Sequence, residues 1–191
     1  MSFAKPVDSQ KKSFWLGLGL ILGIFATRTQ HFGSAVYLPD ATLAVLFLGG
    51  LLIARSSWLA LAIIAAFAMD AYAIGWKGVS DYCMSPAYWG LIPTYALVWG
   101  AGRWLAKRSQ PFELLPYGLI GWAAASVAFI VSNGFWYQFS GRFNDMPVID
   151  FMQRVSQYYT PYVGYALMYL GAAWLAYRFA GSLKSQKTRQ V

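Results

Sequence analysis

The chain carries one cysteine, Cys83, and one histidine, His31. Cys83 stands in SDYCMSPAYWG, residues 80–90, between two long apolar runs and inside neither. A lone cysteine is commonly a small buried hydrophobe. A free thiol in a turn that faces an oxidising compartment is a liability, so this placement points to use, as a soft metal ligand or a nucleophile. A nucleophilic thiol needs a base, and His31, in the first outward loop, is the one imidazole that could supply it. Nothing in the sequence marks the orienting group or oxyanion site that such a pair also needs. The thiolate, the thioether of Met84 and the imidazole of His31 suit cobalt, copper, zinc or iron better than magnesium or calcium. Three ligands with no regular spacing do not build a site for a bare ion, whereas a metal already held in a macrocycle needs only one or two axial ligands. A single cysteine excludes an internal disulfide and a zinc-finger cluster, and no G-x-x-x-x-G-K-[ST] loop is present to bind ATP in that manner.

The elements that must position these groups are apolar. Of 191 residues, 58% are hydrophobic, 18% aromatic and 12% charged, against about 25% charged in ordinary soluble domains. Six apolar segments are predicted, at about 14–27, 35–54, 58–76, 86–106, 112–139 and 158–180. Most reach the roughly 20 residues that span a bilayer. Such runs must be helices, because open strands leave backbone groups unsatisfied in lipid, and they lack the alternation of a barrel. The expected class is an all-α integral membrane protein: one domain, residues 1–191, with six transmembrane helices. The first run, with Lys11 and Lys12 before it and HFGSA after it, also has the outline of a secretory signal; it is read as a retained helix. The net charge of +8 reflects basic residues at the ends of apolar runs, so it is assigned to topology and not to nucleic acid.

With the N-terminus inside, 11 basic residues fall on the cytoplasmic side, and Arg28, Lys77, Arg142 and Arg154 on the far side, accounting for all 15. The positive-inside rule then puts both termini in the cytoplasm. The Cys83 turn and the longest loop, about 140–157, fall outside, as expected for a multi-pass protein of the bacterial inner membrane. Asp40 and Asp70 lie within apolar segments, where an ionisable group is costly and a functional candidate. They are expected either to line a cavity open to the outside or to be satisfied by each other or by backbone. The outward ends are rich in aromatics, among them Tyr82, Tyr88, Trp89, Tyr137 and Tyr158. These offer an apolar face with a polar tip for a large amphipathic ligand, or form an interfacial belt. Asn133 and Arg142 could add hydrogen bonds. Gly19 and Gly23 on the first helix allow close approach by another helix, inside the bundle or on a partner.

In length, six helices, inside termini and a small-residue face on the first helix, the chain resembles the substrate-binding S-components of energy-coupling-factor (ECF) vitamin transporters. The lone cysteine in DYCMSPAYWG is similar to the BtuM-type vitamin B12 transporters related to them. The resemblance implies binding and uptake of cobalamin in an outward-facing cavity, with Cys83 as axial ligand to the corrin cobalt. It also implies docking of an ECF coupling module through Gly19 and Gly23, where Gly stands in place of the usual Ala-x-x-x-Ala. A strong thiolate donor on one face of the cobalt should loosen the opposite ligand, so Cys83-dependent decyanation of cyanocobalamin is a further expectation. The alternatives are an S-component for another vitamin, a membrane thiol enzyme using Cys83 and His31, or an assembly subunit packing through its glycines.

Overall fold

A computed structural model describes residues 10–28, 38–53 and 55–189; the side chains of Cys83 and of residues 183–189 lie outside that description, as does His31. The described residues are all-helical, without strands. The helices are α1 (Gln10–Thr27), α2 (Thr42–Leu52), α3 (Ser57–Lys77), α4 (Leu91–Leu105), α5 (Leu114–Phe139), α6 (Val148–Ser156) and α7 (Tyr159–Arg189), with two 3-10 turns, Asp81–Cys83 and Pro86–Gly90, between α3 and α4.

The apolar runs place most of these elements. α3 and α5 are long and apolar enough to cross a membrane. Two differences have local causes. The expected second segment, 35–54, contains Pro39 and Asp40, and α2 starts only at Thr42; residues 35–37 are outside the described set. Asp40 Oδ1 accepts from the Thr42 backbone N–H at 2.9 Å, placing a negative group at the start of α2, where the helix dipole favours it. The expected long loop 140–157 contains α6, which begins directly after Pro147, a residue suited to the edge of a first turn.

α2 is the centre of the bundle. Every residue from Thr42 to Leu51 except Leu43 is buried, as fits a helix that is apolar all round. It packs on α4 most closely, and also meets α1, α3 and α7. The approach depends on small residues: a Cβ on Gly50 would run into the Trp99 carbonyl, and one on Gly102 into the Phe47 carbonyl. The outer faces of the long helices carry exposed Trp15, Leu22, Ile64, Leu115, Leu119, Ile130 and Phe179, an apolar exterior far larger than isolated surface hydrophobes produce.

Candidate functional site

The segment bearing Cys83 begins where α3 ends. Gly78 closes α3 in the left-handed conformation, φ +68°, which glycine adopts without a Cβ penalty. Ser80 Oγ accepts from the Tyr82 N–H at 3.2 Å, and the Met84 N–H donates to the Asp81 carbonyl at 2.7 Å. These local bonds make the Asp81–Cys83 turn. The chain then extends through Ser85 and re-enters a helical path at Pro86.

This segment is tied down beyond its helix ends. The Tyr88 hydroxyl donates to Asp70 Oδ2 at 2.6 Å, binding the start of the fourth segment to the interior of α3. Arg142, from the α5–α6 connection, donates to the Tyr82 carbonyl at 3.1 Å and places its guanidinium 3.9 Å from the Tyr82 ring centroid. Trp136 of α5 packs on the same ring at 5.6 Å. The thiol-bearing turn is therefore held from α3 on one side and from α5 and its following loop on the other.

Beneath Tyr88 lies a buried ionic cluster. Arg28 Nε and Nη2 donate to Asp70 Oδ1 and Oδ2 at 2.8 and 2.7 Å, the bidentate geometry in which arginine and carboxylate interact most strongly. Arg28 Nη1 donates to Asp40 Oδ2 and to Thr42 Oγ1, both at 3.1 Å. Arg28 Nε also reaches the Ala66 carbonyl at 3.1 Å, and the guanidinium stands 5.7 Å from the centroid of Tyr95. Arg28 is 3% exposed and Asp70 7%. Arg28 is thus no outward loop charge, as the charge balance alone had it, but the common partner of both aspartates. Asp40 and Asp70 are satisfied not by each other but each by Arg28, and Asp40 also accepts from the Thr42 backbone N–H.

The remaining expected residues divide. Tyr82 and Arg142 meet. Tyr88 joins the ionic cluster and packs on Phe67 at 4.7 Å; Trp89 also meets Phe67, edge to face at 6.2 Å, but is largely exposed. The Tyr137 hydroxyl donates to the Met146 carbonyl at 2.8 Å, and its ring joins Phe143 and Phe151, so it anchors the loop before α6. Asn133 Nδ2 donates one turn back, to the Phe129 carbonyl, at 2.8 Å. Met84 and Tyr158 are exposed. The loop after α5 borders a depression of about 520 Å³ that includes Arg142, Asn144, Asp150 and Arg154. Among the described residues no three His, Cys, Asp or Glu gather as a metal-ion site.

Two groups escaped the sequence reading. Tyr95, a buried ring, faces Arg28. Ser85 Oγ is a buried hydroxyl with no hydrogen-bond partner among the described residues, two residues from Cys83 in sequence; such a group is costly unless something completes it. Ser-Pro after the cysteine was visible in the sequence, but only as a turn signal.

No protein-family model matches the chain, and no curated protein matches it significantly.

Proposed function

We propose that the chain is a multi-pass inner-membrane protein that binds and takes up cobalamin, with Cys83 as axial ligand to the corrin cobalt. The observation that carries the reading is the place in the chain of the sole cysteine, at the end of the turn between α3 and α4. Cys83 ends a short turn tied by Arg142 to Tyr82 and followed by the Tyr88–Asp70 bond, and it stands two residues before Ser85, whose buried hydroxyl has no hydrogen-bond partner among the described residues. A corrin supplies four equatorial nitrogens, so one soft thiolate is sufficient for an axial position. Cobalt coordination itself favours the thiolate form. Tyr82, Met84, Tyr88, Trp89, Tyr158 and His31 would border the ring or its side arms, and Asn133, Tyr137 and Arg142 would shape the outer rim.

The membrane part of the reading rests on α3 and α5 and on the apolar exterior. A six-span, S-component-like bundle follows if α1, α4 and α7 also cross, if α2, whose 11 residues rise only about 17 Å, crosses together with the non-helical residues before it, and if α6 lies at the outer surface. Lys11 and Arg55 border one cavity, and Arg142 stacks on Tyr82; both pairings agree with the inside and outside sets read from the charges, with both termini inside. On α1, a Cβ at Gly19 would meet open space, while one at Gly23 would touch Val45. On this reading an ECF coupling module would approach α1 on the Gly19 side.

With cyanocobalamin, the Cys83 thiolate would occupy one axial position. Cyanide would leave the other with its bonding electron pair, taking a proton to become hydrogen cyanide, and cobalt would stay trivalent. The test is to purify wild type and Cys83→Ser, add cyanocobalamin, and follow the visible spectrum, affinity and released cyanide. Wild type should bind, change its spectrum and release cyanide faster. Identical spectra and affinities in the two proteins would remove the ligand assignment, and equal cyanide release with distinct spectra would remove only the activation step.

A further inference from the structure

We infer that the opposite end of the bundle holds a binding site for the phosphate of an anionic phospholipid headgroup, between the start of α1 and the α2–α3 connection. The inference rests on the membrane reading above but not on cobalamin. A cavity of about 460 Å³ is lined there by Gln10, Lys11, Ser13, Phe14, Arg55 and Trp58. That volume lies within the range of about 300–1,000 Å³ typical of small-ligand clefts.

The lining combines two aromatic rings with polar and basic groups. Trp58 and Phe14 meet edge to face at 6.2 Å. The Trp58 ring is set by Gly17, whose absent Cβ would fall 2.5–2.6 Å from the ring carbons; any larger residue would push the ring away. Trp58 in turn fixes Arg55, because its backbone N–H donates to the Arg55 carbonyl at 3.3 Å. Lys11 and Arg55 are exposed, and neither pairs with an acidic side chain among the described residues. Among the described residues no carboxylate lines the cavity.

Two cations, an amide and an aromatic pair around one cavity suit a phosphodiester with an apolar attachment. Arginine and lysine bind phosphate oxygens as fork and point charge, and tryptophan favours the headgroup level of a bilayer. The positive-inside assignment puts Lys11 and Arg55 at the cytoplasmic leaflet, whose lipids include the anionic ones and where basic pockets between helices bind headgroups. A free phosphate would satisfy the cations but would not use Phe14 and Trp58.

The test uses the full chain in lipid nanodiscs and in detergent, as wild type and as the double variant Lys11→Gln, Arg55→Gln. Native mass spectrometry would compare retention of phosphatidylglycerol with phosphatidylcholine, and thermal unfolding in detergent would be followed with each lipid and with inorganic phosphate. Two basic groups near an anionic lipid predict a preference of roughly thirtyfold for phosphatidylglycerol in wild type, lost in the double variant while both proteins unfold at the same temperature without added lipid. Equal preference in both proteins, or none in wild type, overturns the site. Stabilisation by inorganic phosphate equal to that by phosphatidylglycerol also overturns it, in favour of a soluble anion. A chain that does not enter membranes at all is a different failure, of the membrane reading itself.

Discussion

Tyr88 and Arg28 converge on one oxygen: Asp70 Oδ2 accepts from the Tyr88 hydroxyl at 2.6 Å and from Arg28 Nη2 at 2.7 Å. The first comes from the segment after Cys83 and the second from the end of α1. The carboxylate within α3 therefore holds together two parts of the chain that flank the candidate site.

Tyr88→Phe should keep the ring against Phe67 and remove only the donor. A hydrogen bond to a charged group is worth about 1.5–3 kcal/mol. The variant should unfold that much more easily and should bind cobalamin more weakly than wild type, because the turn loses its tie to α3. Unfolding titrations in detergent with parallel ligand binding check both parts; unchanged stability would show that the phenol does not hold the turn.

Arg28→Met should cost more. It leaves Asp70 without its bidentate partner and Asp40 without its cation, and breaking a buried pair from one side costs about 3–5 kcal/mol. Arg28→Lys should recover part of this, since a lysine can contact one carboxylate oxygen but cannot reproduce the fork. A stability ranking with wild type first, lysine second and methionine last is expected; methionine equal to wild type would contradict the cluster.

Two glycines in α4 should respond with opposite signs. A Cβ at Gly102 meets the backbone of α2, whereas one at Gly100 meets nothing within 4 Å. Gly102→Ala should destabilise by about 1–3 kcal/mol through overpacking. Gly100→Ala should be neutral or stabilise by about 0.5–1 kcal/mol through helix propensity. Thermal unfolding of the two variants side by side decides the matter.

Cys83 should react with a membrane-impermeant thiol reagent from the outer side only, and cobalamin should protect it. Arg142→Gln removes the guanidinium from the Tyr82 ring and its bond to the Tyr82 carbonyl. Loss of an exposed cation–π contact predicts roughly two- to fivefold faster labelling. Labelling from the cytoplasmic side alone would reverse the orientation.

What the sequence makes legible follows from what apolar periodicity encodes. α3 and α5 are visible in it because an uninterrupted apolar run of spanning length is hard to accommodate as anything but a helix. α6 is not, because nine residues containing Asp150, Gln153 and Arg154 read as a polar loop. Its signal is the sequence Pro147 followed by Val148, Ile149, Phe151 and Met152, apolar at helical spacing on one face. In the site, Asp40 and Asp70 are recognisable as costly charges that need a partner. Arg28 is not recognisable as that partner, since a basic residue following an apolar run is usually topology and periodicity carries no information about which helices meet. The tie from Arg142 to Tyr82 spans 60 positions and is invisible to local pattern for the same reason.

The bidentate pair of Arg28 and Asp70 joins residues 42 positions apart. A ribosome adding about 5–20 residues per second releases Arg28 roughly 2–8 s before Asp70. Once Asp40 has followed, 12 residues into that interval, the end of α1 holds a guanidinium that has Asp40 at hand but not its main counter-charge. On the membrane reading, the first hairpin must then wait near the interface or beside the insertion machinery, and α3 becomes the element whose arrival lets it settle. A chain shortened to end before Asp70 should consequently leave its first two helices poorly inserted, however apolar they are.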